Sequence, residues 1–344
     1  MARAQERSPS ILILRRDNVG DLVCTTPLID ALRARHPRAW LGALVNTYNQ
    51  GVLEGNPALD AVFAYEKLKH RRTGVLRNVF DTVRTLARLR IARLDYVLVP
   101  LATPQALKLA ASLKPERVIA SEPGYSGIRH EVERAFALGA SLGVRGAPGP
   151  MRVFPDAALQ ARVRATMGEG PVAAVHISAR QEIRRWPLER YAELIRTFSS
   201  RGKKTALMWS PGLRSDPRHP GDDEPAARLL ELVKGENVVP VPTPDLATLI
   251  AALSLVDWVL CPDGGAMHIA AALGKPVVAL WGDSPVSRWR PWQVPNVVVQ
   301  PPSKNLADLP LAPVVDACAA LARMRGDQQD GKDREEQIGQ RPLG

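Results

Sequence analysis

Hydrophobic positions along this chain fall into short blocks that alternate with stretches of helical periodicity. Residues 11–15 (ILILR), 40–45 (WLGALV), 95–100 (DYVLVP) and 117–120 (RVIA) are strand-sized apolar runs. Between them, 21–35 and 75–93 carry apolar residues at the three- and four-residue spacing of a helix with one buried face. Apolar runs that alternate with helices belong to strands buried on both faces, so the first half predicts a parallel sheet covered by helices. Residues 142–155 (LGVRGAPGPMRVFP) interrupt the rhythm with clustered Gly and Pro and read as a linker. The pattern then resumes: strands at 171–178, 204–210 and 236–240, helices at 188–200, 224–233 and 245–254, a strand–turn–helix–strand unit over 256–282, and a last helix at 312–325. The expectation is two α/β domains, 1–150 and 151–325, whose parallel sheets face a central cleft. The tail 326–344 is polar and aperiodic, which predicts disorder.

Composition narrows the class. With 344 residues, 45% of them hydrophobic, the chain can fill two cores. No apolar run approaches the roughly 20 residues that span a bilayer, and residues 1–10 lack the apolar segment of a secretory leader. Three widely spaced cysteines (Cys24, Cys261, Cys318) suit a reducing compartment and argue against structural zinc or an iron–sulfur cluster. A cytoplasmic protein is expected. The net charge of +11 calls for an acidic partner, and nucleic acid, anionic lipid and phosphorylated metabolites all qualify. From Lys67 to Arg93 there are nine Lys or Arg against the single acid Asp81. Within that stretch Arg77, Arg84 and Arg88 fall on the wet face of the 75–93 helix. A solvated surface helix and a helix that meets an anionic membrane or a phosphorylated acceptor both fit.

Three turns carry candidate chemistry. In the first, Asn18-Val19-Gly20-Asp21 leaves the end of a strand, where open parallel sheets bind ligands. Asp21 either caps the next helix or serves as a base. The turn has neither GxGxxG nor a Walker lysine. In the second, the strand ending near Ser178 runs into a basic loop (Arg180, Arg184, Arg185) before Trp186-Pro187 opens a helix. Its arginines can hold a diphosphate or stand as surface charges around a Trp-Pro staple. In the third, Asp263-Gly264-Gly265 precedes a helix whose first turn contains His268. Free backbone N–H groups and the helix start suit an anion or a sugar. No HxH, HExxH or carboxylate cluster indicates a metal, and no Gly-x-Ser-x-Gly elbow is present. An acid and an arginine-lined anion site suit group transfer from a diphosphate-activated donor.

In three places the chain resembles glycosyltransferase family 9, the ADP-heptose:lipopolysaccharide heptosyltransferases. These are the run from Arg16 through Gly20-Asp21 and Thr26-Pro27 to Leu32-Arg33, RRWPLERYAELI at 184–195, and PDGGAMHIAAALGKPVVALWG at 262–282. The resemblance implies a GT-B fold of two Rossmann-like domains, the N-terminal one for the acceptor and the C-terminal one for the nucleotide sugar. It also implies inverting transfer of heptose from ADP-L-glycero-β-D-manno-heptose to the inner core of lipopolysaccharide, without metal or cofactor. By position, Asp21 is the implied general base, Ser178 and Arg184 contact the donor diphosphate, and Asp263 holds the heptose hydroxyls. Gly264, Gly265 and His268 form the phosphate-facing turn. The family usually has Ser or Thr at Gly264 and Lys at Arg184, so here a hydroxyl contact is lost and the cation is kept. Arg77, Arg84 and Arg88 acquire a role in collecting a lipopolysaccharide-precursor acceptor at the inner face of the inner membrane. A monomer without a nucleic-acid partner is expected; the alternative is a GT-B transferase for another nucleotide sugar or a protein acceptor.

Overall fold

The structure, a computed structural model, describes residues 8–65, 84–91, 93–121, 130–170, 172–216 and 220–339. The chain forms two compact units, one of residues 1–156 with 287–292, the other of residues 157–286 with 293–344.

The first unit is built on five parallel strands: β1 (Ser10–Leu14), β2 (Trp40–Asn46), β3 (Ala61–Tyr65), β4 (Tyr96–Val99) and β5 (Arg117–Ala120), ordered β3-β2-β1-β4-β5. Central β1 pairs Leu12 with Gly42 on one side and Val97 on the other. Ile11 to Leu14 are at most 1% exposed, the burial on both faces that makes this run apolar without alternation. The second unit has six parallel strands: β6 (Val172–His176), β7 (Lys204–Trp209), β8 (Val238–Pro242), β9 (Trp258–Pro262), β10 (Val277–Leu280) and β11 (Asn296–Val299), ordered β11-β10-β9-β6-β7-β8. Both orders reverse beside the first strand, between β1 and β4 and between β6 and β9. In a doubly wound sheet that reversal opens a crevice beyond the carboxyl ends of the two strands. The turns after β1, β6 and β9 are therefore the ones that the topology exposes to ligands.

Helices cover the sheets by the pattern the sequence carries. Leu188–Ser199 buries Tyr191, Ala192, Leu194, Ile195 and Phe198 in the core of the second unit. Each large apolar side chain of this kind contributes roughly 1.5–3 kcal/mol by leaving water.

Four features depart from the sequence expectation. Edge strands β3 and β11 were not foreseen; each has a single partner strand and is only partly buried. The units part between Asp156 and Ala157 rather than at 150, and residues 287–292 belong with the first unit although they lie deep in the second half. The tail expected to be disordered instead continues the last helix, which runs Leu311–Gly339. Three Gly and three Asp there are poor helix formers, but extending a nucleated helix costs far less than starting one. Of the basic helix expected at 75–93, residues 84–91 are helical, with Leu89 buried and Arg84 and Arg88 exposed. Arg77 lies outside the described residues. No described helix is long and apolar enough to cross a membrane.

Candidate active site

Where β1 ends, the chain places a charged residue inside the protein. The Arg15 side chain is fully buried and meets three carboxylates: Nε donates to Asp17 Oδ1 at 2.8 Å, and Nη2 donates to Asp21 Oδ1 at 2.9 Å and to Glu131 Oε1 at 2.8 Å. Burial works against the guanidinium charge, but the three anions outweigh it and hold the group more firmly protonated than in water. Glu131, itself 1% exposed, is gripped on its other oxygen by Arg288, whose Nε and Nη2 lie 3.1 and 2.8 Å away. Arg288 comes from the returning segment 287–292. Trp292 of that segment stacks on His130 at 4.6 Å and donates its indole N–H to the Gly149 carbonyl. His130 accepts the Val132 N–H on Nδ1, so its Nε2–H donates to the Arg290 carbonyl at 2.9 Å.

Asp21 sits in the short helix Val19–Val23. Its Oδ2 accepts the backbone N–H of Asn18 at 3.2 Å and the Asn18 amide at 3.1 Å, a capping role in which Asn18 is the cap and Asp21 its third-position partner. Asp21 is thus not itself the cap, which is Asn18, and its side chain keeps 12% of its surface open. The basic partner is Arg15, one residue before the Arg16 from which the motif was read. Arg16 instead stacks on Tyr65 at 5.3 Å. Burial pushes the neighbouring Asp17 carboxyl up to about 6, with Arg15 opposing and Asp21 adding to the rise.

At the switch point of the second unit, the turns after β6, β9 and β10 converge. Ser178 Oγ accepts the Ser210 N–H at 2.9 Å, which ties the end of β6 to that of β7 and leaves the hydroxyl proton to donate. Arg184 Nη1 lies 3.0 Å from Asp263 Oδ2, so the structure brings these two sequence-derived candidates into contact. The same guanidinium donates through Nε and Nη2 to Asp283 Oδ1 at 3.2 and 3.0 Å. Ser284 donates its hydroxyl to Asp263, and Trp281, fully buried, donates its indole N–H to the Ser284 carbonyl at 2.7 Å. Gly282 lies under the arginine stem: a Cβ there would stand 2.8 Å from Arg184 Cγ.

The remaining candidates separate. Gly265 begins the helix Gly265–Ala272, and His268 is 3% exposed in its first turn. Gly264 is extended (φ 169°) and a Cβ on it would meet nothing closer than 4.0 Å, so neither backbone nor packing requires glycine there. Arg185 does not join Arg184; it pairs with Asp222, which is buried before the helix Asp223–Leu232. Trp186 is a core residue that donates to the Leu309 carbonyl and packs edge-on against Tyr191 at 4.8 Å.

Sequence reasoning missed Glu131, Arg288, Asp222 and the Gly282-Asp283-Ser284 turn. The turn carried a visible signal, since Gly-Asp-Ser follows a predicted strand. Glu131 and Arg288 carried none, because their pairing spans 157 positions.

Two doubly wound parallel sheets in one chain, with acids and arginines gathered beyond their carboxyl ends, define a GT-B glycosyltransferase. The chain belongs to glycosyltransferase family 9 (heptosyltransferase), whose family model matches residues 109–309. It is similar to lipopolysaccharide heptosyltransferase 3 of Escherichia coli, 23% identical over 89% of this chain and 96% of that one. Among solved structures, a family 9 glycosyltransferase from Veillonella parvula DSM 2008 superposes with a TM-score of 0.80 at 18% identity, covering 93% of this chain and 99% of that one. The E. coli heptosyltransferase WaaC with ADP superposes at 0.73 and 17% identity, covering 91% and 99%.

Proposed function

We propose that the protein transfers heptose from ADP-L-glycero-β-D-manno-heptose to the inner core of a lipopolysaccharide precursor, with inversion and without metal. The observation that carries this reading is the contact of Arg184 with Asp263 at the switch point of the second unit, beside Ser178 and the start of the Gly265–Ala272 helix. There a cation, a hydroxyl and free helix amides suit a diphosphate, while a buried carboxylate suits sugar hydroxyls. The names of the relatives agree with a heptose donor and a lipopolysaccharide acceptor.

In the proposed step the acceptor hydroxyl oxygen forms a bond to the anomeric carbon as the bond from that carbon to the diphosphate oxygen breaks. The hydroxyl proton passes to the Asp21 carboxylate, and the electron pair leaves with ADP. Arg184, Ser178 and the N–H groups around Gly264 and Gly265 meet the charge that grows on the departing diphosphate. Arg15 and Asn18 hold Asp21 in place. Among the described residues no group of three or more His, Cys, Asp or Glu is placed to hold a metal ion. Arg84 and Arg88, exposed on one helix, suit a phosphorylated acceptor at the inner membrane surface, as does Arg77 by its sequence position.

The test is turnover. Purified protein given ADP-heptose and a core-truncated lipopolysaccharide releases ADP at an undiminished rate in EDTA, and the product carries the inverted anomer. Loss of activity in EDTA removes the metal-independent step. A thermal-shift series with ADP-, UDP- and GDP-sugars gives its largest rise with ADP-heptose; a larger rise with another nucleotide sugar replaces the donor assignment.

A further inference from the structure

We propose that Asp283 is a resident counter-ion of the donor site, occupying the Arg184 guanidinium until a diphosphate displaces it. The inference rests on the reading of Arg184 as a diphosphate ligand. It goes beyond that reading by assigning a role to a carboxylate in the turn after β10.

Arg184 faces two acids of different character. Asp263 has a side chain 5% exposed and is held from a second direction by the Ser284 hydroxyl, so it is fixed in the fold. Asp283 has a side chain 47% exposed and reaches Arg184 through a single oxygen shared by Nε and Nη2. The Asp283 carboxyl is held below the usual carboxylate range by its hydrogen bond with Arg184, so it is charged at neutral pH. Arg184 and, more distantly, Lys304 face these carboxylates, so Asp283 competes with an incoming diphosphate for the Nε and Nη2 edge of Arg184. Withdrawing Asp263 would strand a buried charge. Withdrawing Asp283 costs little, because water takes over its solvation.

Gly282 keeps this exchange from disturbing the arginine. The Arg184 stem lies across Gly282, where a Cβ would come within 2.8 Å of its Cγ, and Asp263 still holds Nη1 when Asp283 leaves. The guanidinium is thus preset for the diphosphate while its Nε and Nη2 edge changes partner. The same competition acts when ADP departs, since Asp283 can reclaim that edge as the diphosphate loosens.

The test is calorimetric titration of the full chain with ADP and with adenosine, at one ionic strength, for wild type, Asp283→Asn and Asp283→Glu. ADP should bind Asp283→Asn about two- to fivefold more tightly than wild type, the range set by an exposed ion pair. Adenosine, which has no diphosphate, should show no difference, and Asp283→Glu should restore the wild-type affinity. Unchanged or weaker ADP binding by Asp283→Asn, with wild type binding ADP, overturns this inference alone. Failure of wild type to bind ADP overturns the diphosphate reading of Arg184 together with it.

Discussion

Each sheet ends in an arginine held by carboxylates, yet the two arginines live in different electrostatic worlds. Arg15 has no exposed side-chain surface, and Asp17, Asp21, Glu131 and Arg288 form a chain of pairs around it in which the Arg15 and Glu131 side chains are at most 1% exposed. Arg184 keeps 21% of its side chain open, and one of its two partners is nearly half exposed. In the sealed cluster every charge depends on its neighbours, because removing one leaves others buried and unopposed. In the open cluster solvent can replace a partner. The first arrangement suits a group whose orientation must not change, and the second suits a group that must change partners in each turnover.

Substitutions at the two clusters test this contrast. The largest effect falls on chemistry: Asp21→Asn should lower turnover by about 10²–10⁴-fold, the range for a lost general base, while circular dichroism stays near wild type and the melting temperature falls, since buried Arg15 loses one of its three anions. Full activity in that variant removes Asp21 as the base. Next comes stability. Glu131→Ala, which strips Arg15 and Arg288 of a shared buried partner, should cost roughly 3–5 kcal/mol in chemical denaturation. Asp283→Ala, the matching deletion in the open cluster, should cost less than about 1 kcal/mol. Equal losses would erase the distinction between the clusters. A smaller effect is expected from Gly282→Ala, whose methyl would push the Arg184 stem aside. ADP affinity should fall about tenfold or more, in line with the ~1.5–3 kcal/mol of a hydrogen bond to a charged group.

A pH effect is expected at His176, the last residue of β6. Burial lowers the His176 pKa from the ordinary 6.5 to about 4, with Asp222 opposing the shift. The unfolded chain therefore takes up a proton below about pH 6.5 that the folded chain refuses until about pH 4. This contribution to stability is complete above pH 6.5 and declines as pH falls through that window. The melting-temperature difference between wild type and His176→Asn should narrow over the same range; a constant difference means His176 does not titrate there. Finally, Gly264→Ser should leave stability within about 0.5 kcal/mol, because its backbone is extended and its surroundings are open.

Much of this architecture was legible in the sequence. A strand buried on both faces needs an unbroken apolar run bounded by a turn, and β1, β6, β9 and β10 all have one. An edge position alone does not hide a strand, since β5 and β8 are edges that the sequence reveals; AVFAY and NVVV are short runs flanked by charged or proline residues and blend into loops. The contact of Arg184 with Asp263 follows from motifs at adjacent strand ends, which the sheet order brings together. Asp222 stands between Gly221 and a further acid, a setting that reads as a solvated loop, yet it is buried against Arg185.

The segment 287–292 bears on how such a protein can be taken apart. Because the chain leaves one globule, docks Arg288 on Glu131 and Trp292 on His130, and then returns to finish β11, no single cut yields two self-sufficient halves. A hybrid that exchanged everything from residue 157 onward with the matching part of a relative would import a foreign hexapeptide into the Glu131 socket. Grafting must therefore be done in three pieces, with 287–292 inherited from the amino-terminal parent.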